Sequence, residues 1–279
     1  MATYEKSFLL SLYRDMVRIR AFEEHAAECF TKGMLAGNIH LSIGQEAAEA
    51  GAFAAIEPRD YFTSTHRGHG HAIARGADPK RAMAELFGKA AGYCKGKGGS
   101  MHLADFSVGM LGANGVVGGG FNIATGAALA IKQRHGSDVA VCFFGDGASS
   151  RGTFHEAVNL AASWKLPVIY VCENNAWAST TRFDDIKNVD YLSERAQGYG
   201  IPGVTVDGND VESVRDASAS SPTRRSTVPR RRSRSGNSTT TRLTGSGARS
   251  CSKASSRRTT STPRRSSSTR SSHRLWNLR

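Results

Sequence analysis

Asp146 and Asn175 are the residues of this chain whose types and spacing could do chemistry together. Asp146 stands in Gly145-Asp146-Gly147-Ala148, directly after the apolar run from Val139 to Gly145. Asn175 follows Asn174 at the end of a second run, Pro167 to Glu173. A carboxylate and a carboxamide oxygen are hard donors, better suited to Mg2+ than to zinc, and Mg2+ takes few protein ligands alongside phosphate oxygens. The small residues Gly147 and Ala148 let backbone and a diphosphate approach closely, and a following helix would offer its N-terminus to the anion. Either motif alone reads as a turn that ends a strand. Their placement at the ends of neighbouring strands favours a shared ligand.

The elements that must position them are legible from periodicity. Both apolar runs read as buried parallel strands, and between them Gly152 to Leu166 has helical spacing, with Phe154, Val158, Ala161 and Ala162 on one face. A right-handed βαβ crossover puts the carboxyl ends of both strands on one edge of the sheet. Ahead of this unit, Tyr4 to Lys32 reads as an amphipathic helix with Phe8, Leu12, Met16 and Ile19 along a stripe, suited to packing, against a partner subunit among other surfaces. Ser42-Ile-Gly-Gln45 has capping-box form for a helix over 43–56, with His40 in the loop before it. Tyr61 to Thr65 reads as a strand leading into a loop, His66-Arg67-Gly68-His69-Gly70-His71. Without cysteine or acidic partners these histidines make a weak zinc signal, whereas an arginine beside glycines suits bidentate phosphate contact. Asp78-Pro79 starts another helix, and 92–102 is a glycine-rich basic loop without the residue order of a P-loop. The glycines between Leu111 and Gly120, ahead of a helix over 123–130, imply close approach of backbone to a ligand or a neighbouring helix.

Gly145-Asp146-Gly147, 26 intervening residues and Asn174-Asn175 resemble the thiamine diphosphate motif. The surrounding Phe154-His155-Glu156-Ala157, Trp164-Lys165-Leu166-Pro167 and Glu173-Asn174-Asn175 are similar to the alpha subunit of the decarboxylating component of pyruvate, acetoin and related 2-oxo acid dehydrogenase complexes, from about Tyr4 to Asp216. The resemblance implies an α/β, three-layer thiamine diphosphate-binding fold with a mostly parallel sheet. It implies Mg2+ held by Asp146, the Asn175 side chain and the Trp177 backbone carbonyl, with Gly147 and Ala148 beside the diphosphate. It places His66 and Arg67 on the diphosphate, the Gly115 and Val117 backbone on the aminopyrimidine, and His40 and His69 as the candidate catalytic side chains. The cofactor carries the carbanion chemistry, acting on acetoin or a 2-oxo acid, and the acyl group passes to a lipoyl-bearing acyltransferase. The glutamate that activates the aminopyrimidine would come from a beta subunit in an α2β2 heterotetramer, so this chain alone would be inactive. The segment His66 to His71 and Gly152-Thr-Phe-His-Glu156 look closer to acetoin-type members than to branched-chain ones.

Two departures from the family pattern stand out. Ser149-Ser150-Arg151 replaces the usual x-Asn-Gln ahead of Gly152. The second is the composition after Asp216. The net charge of +13 is the sum of two unlike parts: all 24 acidic residues lie at or before Asp216, and 16 of the 37 basic ones lie after it. Of the 63 residues from Ala217 onward, 43 are Ser, Thr or Arg, without apolar periodicity, which predicts a disordered tail at 217–279 behind a truncated domain at 1–216. The family's closing His-Gly-His loop is absent, with His273 the last histidine, and the abrupt change suggests a shifted reading frame after about codon 216. If genuine, a tail of charge +16 would bind nucleic acid non-specifically, on a relative that has lost catalysis. The five cysteines are scattered without paired spacing, which fits a reducing cytoplasm, and no apolar run has transmembrane length.

Overall fold

The two apolar runs form adjacent parallel strands at the centre of a six-stranded sheet in the computed structural model, which describes residues 4–220 and a strand at 240–244. In chain order the helices are α1 (Lys6–Thr31), α2 (Glu46–Phe53), α3 (Gly68–Ala74), α4 (Pro79–Leu86), α5 (Gly119–Gln133), α6 (Gly152–Ser163) and α7 (Val211–Ala219). The sheet contains β1 (Tyr61–Thr63), β2 (Met110–Gly112), β3 (Ala140–Gly145), β4 (Val168–Glu173), β7 (Gly203–Val206) and β8 (Thr240–Thr244), while β5 (Trp177–Ala178) and β6 (Thr181–Arg182) make a separate hairpin. The sheet order is β2-β1-β3-β4-β8-β7; the first four strands are parallel, and β8 runs antiparallel to both its neighbours.

Strand alternation explains the layers. Ala140, Cys142 and Phe144 of β3, with Val168, Tyr170 and Cys172 of β4, face α5 and α6 and pack on Phe121, Ala128, Phe154 and Val158. Val141, Phe143, Ile169 and Val171 face the other way, onto Phe53 of α2, Ala72 of α3 and Val214 of α7. Both faces are therefore covered, which is why these strands read as continuous apolar runs rather than alternating ones. On the first face the Tyr170 hydroxyl, buried among apolar side chains, is satisfied by Thr125 Oγ1 at 2.7 Å. A third cluster, with Ile19, Phe22 and Ala26 of α1 against Ile73, Ala82 and Leu86, lays α1 over α3 and α4.

Four local readings change. Ser42 does not cap α2: its hydroxyl is buried and donates to Glu23 Oε1 at 2.9 Å, and Gln45 takes the N-cap position. The histidine stretch is not a loop, because residues 68–74 form α3 and bury His69 and His71. Packing of this short helix against α1 and α2 overrides the two glycines. The helix capped by Asp210 runs past Asp216 to Ala219, burying Ala217 and Ser218. Within the stretch expected to be disordered, residues 240–244 are placed as β8, and the remainder of 221–279 lies outside the described residues. Among the described residues no helix is long and apolar enough to cross a membrane.

Burial sets the thiol chemistry. Cys142 and Cys172 are wholly enclosed, and burial pushes the Cys142 thiol up to about 12 and raises Cys172 as well. Of the four described cysteines, Cys94 is the only one outside the core. Among these four, iodoacetamide should alkylate Cys94 first in the native chain, and Cys142 and Cys172 only after unfolding; peptide mass spectrometry reads the order.

Candidate cofactor-binding site

β3 and β4 end level with one another, Gly145 opposite Glu173, so the motif's two halves emerge together at the carboxyl edge of the sheet. Asp146 opens a tight turn over 146–150 directly after β3. Its carboxylate is 1% exposed and neither oxygen has a hydrogen-bond partner. Burial raises its pKa to about 6, while the backbone amides of Asp146, Asn175 and Gly147 face it and pull the other way without reaching hydrogen-bond geometry. A buried carboxylate with no partner is costly on its own and fits a cation supplied from outside the chain.

The second half of the motif is exposed. Asn175 Oδ1 accepts the Trp177 N–H at 3.1 Å and Asn174 Oδ1 the Ala176 N–H at 2.9 Å, two successive Asx turns that carry the chain into the β5–β6 hairpin. Ala176 is held at φ 65°, a left-handed conformation that the paired turns enforce. Gly147 lies under this hairpin; a Cβ there would meet Ala178 Cβ at 2.7 Å. Gly147→Val should therefore push Trp177 and Ala178 away from Asp146 and weaken cofactor binding at least ~10-fold, equivalent to roughly 1.4 kcal/mol, with the fold retained; calorimetric titration with Mg2+ and thiamine diphosphate measures it.

The Ser149-Ser150-Arg151 departure has a local solution. Ser149 is buried and donates to the Asp146 carbonyl at 2.7 Å, and Arg195 Nη1 donates to the Ser149 carbonyl at 2.9 Å. Arg195, which the sequence reading missed, thus clamps the turn that carries Asp146. Arg151 is exposed at the start of α6, its side chain packed beside Gly118. Ala148, within the same turn, is buried.

The remaining candidates fall in two groups. His40 and His66 stack edge to face with ring centroids 4.9 Å apart. Burial, then the Arg67 charge, lower the His66 pKa to about 4, so it is neutral at physiological pH. Arg67 hydrogen-bonds the Leu41 carbonyl, tying this pair to the loop before α2. Gly115 and exposed Val117 lie in the turn ahead of α5, and a Cβ on Gly115 would come within 3.3 Å of His102. His69 behaves differently: it is fully buried, its Nδ1 is 3.0 Å from Glu23 Oε2 and its Nε2 2.9 Å from Ser100 Oγ. With both nitrogens engaged, it holds the glycine-rich loop to α1.

Glu23 and Glu85 are further residues the sequence did not flag. Glu85, buried in α4, accepts four backbone N–H groups of the glycine-rich loop: Cys94, Gly96 and Gly98 at 2.8 Å and Gly99 at 3.1 Å. A lone glutamate on a helix face carries no sequence signal of that role.

An α/β sheet with an unpartnered acid at the edge of its central strands and glycine turns beside it defines a cofactor-binding domain of the doubly wound class. The family model for the dehydrogenase E1 component matches residues 14–230, and the chain belongs to that family, which is thiamine diphosphate-dependent. It is 53% identical over 215 residues to the alpha subunit of acetoin:2,6-dichlorophenolindophenol oxidoreductase from Bacillus subtilis, covering 77% of this chain and 64% of that one. It is 52% identical over 213 residues to the protein of the same name from Cupriavidus necator, covering 76% and 64%. Against the pyruvate dehydrogenase E1 component subunit alpha of Zymomonas mobilis it is 45% identical over 214 residues, covering 76% and 60%. The chain thus spans less than two thirds of the length of these curated relatives.

Proposed function

We propose that this chain is the alpha subunit of a thiamine diphosphate- and Mg2+-dependent dehydrogenase that cleaves acetoin, or decarboxylates pyruvate or a related 2-oxo acid, for a lipoyl-bearing acyltransferase. The observation that carries the reading is the buried, unpartnered carboxylate of Asp146 at the paired ends of β3 and β4. Asp146, the Trp177 backbone carbonyl and Asn175 Oδ1, which keeps a lone pair beyond its bond to Trp177, would hold Mg2+. Neutral His66 and cationic Arg67 would hold the diphosphate, and the Gly115 and Val117 backbone the aminopyrimidine. The bound thiamine diphosphate supplies stabilisation of the carbanion that forms when a bond to the substrate carbonyl carbon breaks. His40, stacked on His66, faces the same region and stays the candidate for proton transfer, while His69 acts as a positioning residue. Identity is higher to the acetoin relatives than to the pyruvate one, which supports acetoin as the first substrate to test.

Leu10, Tyr13 and Val17 on one face of α1 are exposed at 45, 60 and 46%, an apolar stripe consistent with subunit pairing. A beta subunit would supply the activating glutamate, in a cytoplasmic α2β2 assembly. The Arg/Ser/Thr-rich segment from Ala217 belongs to the same proposal as the product of a shifted reading frame, and sequencing across codon 216 with translation in all frames tests it. For the activity, the chain is co-expressed with the beta subunit of an acetoin-type relative and assayed for dye reduction by 2,6-dichlorophenolindophenol. Acetoin-dependent reduction that requires thiamine diphosphate, Mg2+ and both subunits is expected. Absence of cofactor binding by the assembled pair in calorimetry would overturn the reading.

A further inference from the structure

A second group of buried polar side chains, used by none of the roles above, lies where α2, α3 and β4 meet. Glu49 of α2, His71 of α3 and Glu173 of β4 bring one ligand atom each within 4.8 Å of one another, and they are 0, 0 and 6% exposed. Both Glu49 oxygens, Glu173 Oε1 and His71 Nε2 have no hydrogen-bond partner. His71 Nδ1 sits 2.9 Å from Ser64 Oγ, which orients the ring so that Nε2 faces the two carboxylates. Nε2 comes within 3.2 Å of Glu173 Oε1 but out of line for a hydrogen bond. The Ser42 hydroxyl, which also lies beside Glu49, gives its one proton to Glu23 at 2.9 Å, so that neither Glu49 oxygen reaches hydrogen-bond geometry with it. Neither glutamate has a lysine or arginine ion pair among the described residues, and Glu23 and Glu46 add further negative charge around Glu49.

Two buried carboxylates and an imidazole nitrogen aimed into one space call for a cation or for protons there. Burial and the neighbouring carboxylates raise the Glu49 pKa, yet a proton on Glu49 would still leave its oxygens without a partner. A proton on Nε2 would satisfy at most Glu173 and leave both Glu49 oxygens unpaired. We propose that Glu49, His71 and Glu173 form a buried site for one divalent transition-metal ion, zinc being the best match. Mixed imidazole and carboxylate donors favour zinc over Mg2+. Bonds of about 2.0–2.1 Å in a tetrahedral site place neighbouring ligand atoms about 3.3 Å apart, close to the Nε2 to Oε1 spacing already present. Ser64 supplies the outer hydrogen bond that fixes the ring of a metal-bound histidine. Gly70 makes the room: a Cβ there would fall 1.9 Å from Glu49 Oε2. The acidic partners missing around the histidines in the sequence thus arrive from α2 and β4, far along the chain. Because all three ligands are enclosed, the ion would be acquired during folding.

The full chain is expressed in zinc-supplemented medium, purified, dialysed against EDTA and analysed by inductively coupled plasma mass spectrometry. The expected result is ~1 zinc per chain, falling below ~0.2 in Glu49→Gln and Glu173→Gln while Asp146→Asn keeps its zinc. Should the glutamate variants fail to fold, zinc-edge X-ray absorption on the wild-type chain decides, with one imidazole and otherwise oxygen ligands expected. A wild-type content below ~0.2, zinc unaffected in folded glutamate variants, or sulfur in the coordination shell would each overturn the site.

Discussion

Asp146→Asn should abolish the stabilisation that Mg2+ and thiamine diphosphate give the chain, and at the same time make the ligand-free chain more stable above about pH 6. The first effect follows from removing the buried, unpartnered carboxylate at the end of β3. Cofactor at ~100 times its dissociation constant would stabilise the wild-type by about 2.7 kcal/mol, a rise in Tm of roughly 5–10 °C for a domain of this size, and the variant should show none. The second effect follows from linkage. Burial raises the Asp146 pKa from 3.8 to about 6, so the folded chain binds the proton more tightly than the unfolded chain. The penalty is absent below the unfolded value, grows as pH rises from 3.8, and is complete above about 6. Asparagine, shaped like the protonated acid, escapes it; with allowance for water reaching the turn, the gain is on the order of 1–2 kcal/mol. Thermal melts at pH 4 and pH 7.5, each with and without cofactor, separate the two effects. A ligand-free variant less stable than wild-type at pH 7.5 would mean that Asp146 has a partner within the chain.

How much of this was legible in the sequence depends on whether the signal was local. β3, α6 and β4 announce themselves because both faces of the sheet are covered, which yields unbroken apolar runs with a helical period between them. Asp146 and Asn175 were legible for the same reason: they follow those runs directly, and strand ends in a βαβ unit must converge. The caps at Asp78 and Asp210 were legible as side chains that satisfy amides two or three residues ahead. What was not legible was long-range. Nothing around His69 in the sequence announces its partners, Glu23, 46 residues earlier, and Ser100, 31 later. Ser42 had the spacing of a cap, yet Glu23 of α1 takes its proton. The three histidines lacked acidic neighbours along the chain and found two glutamates across it. Buried polar groups choose partners by packing, and no window along one sequence encodes that choice.

Glu85→Ala should release the glycine-rich loop, and Glu85→Gln should release half of it. Each carboxylate oxygen serves one pair of amides: Oε2 takes those of Cys94 and Gly96, Oε1 those of Gly98 and Gly99. Glycine is needed in the loop because Gly96 and Gly99 sit at φ 73° and 66° and because a Cβ on Gly92 would strike the Glu85 carboxylate at 2.4 Å. Burial pushes the Glu85 carboxyl up, but the amides from Gly96, Gly98, Cys94 and Gly99 together hold it below the usual carboxylate value. Its contribution is therefore present above the unfolded pKa of 4.5 and is lost as pH falls through the lower folded value. Alanine leaves four donors without an acceptor, a loss of about 3–5 kcal/mol; glutamine keeps one acceptor and turns an NH2 group on the other pair, about 2–4 kcal/mol. Hydrogen exchange at Cys94, Gly96, Gly98 and Gly99 distinguishes the variants, with all four amides deprotected in alanine and one pair in glutamine. The consequence reaches the proposed cofactor site, because the same loop carries Ser100 to His69 and the His102 ring to the Gly115 turn. Both variants should weaken thiamine diphosphate binding without touching the cofactor, and equal affinity with a deprotected loop would show that the loop does not support the site.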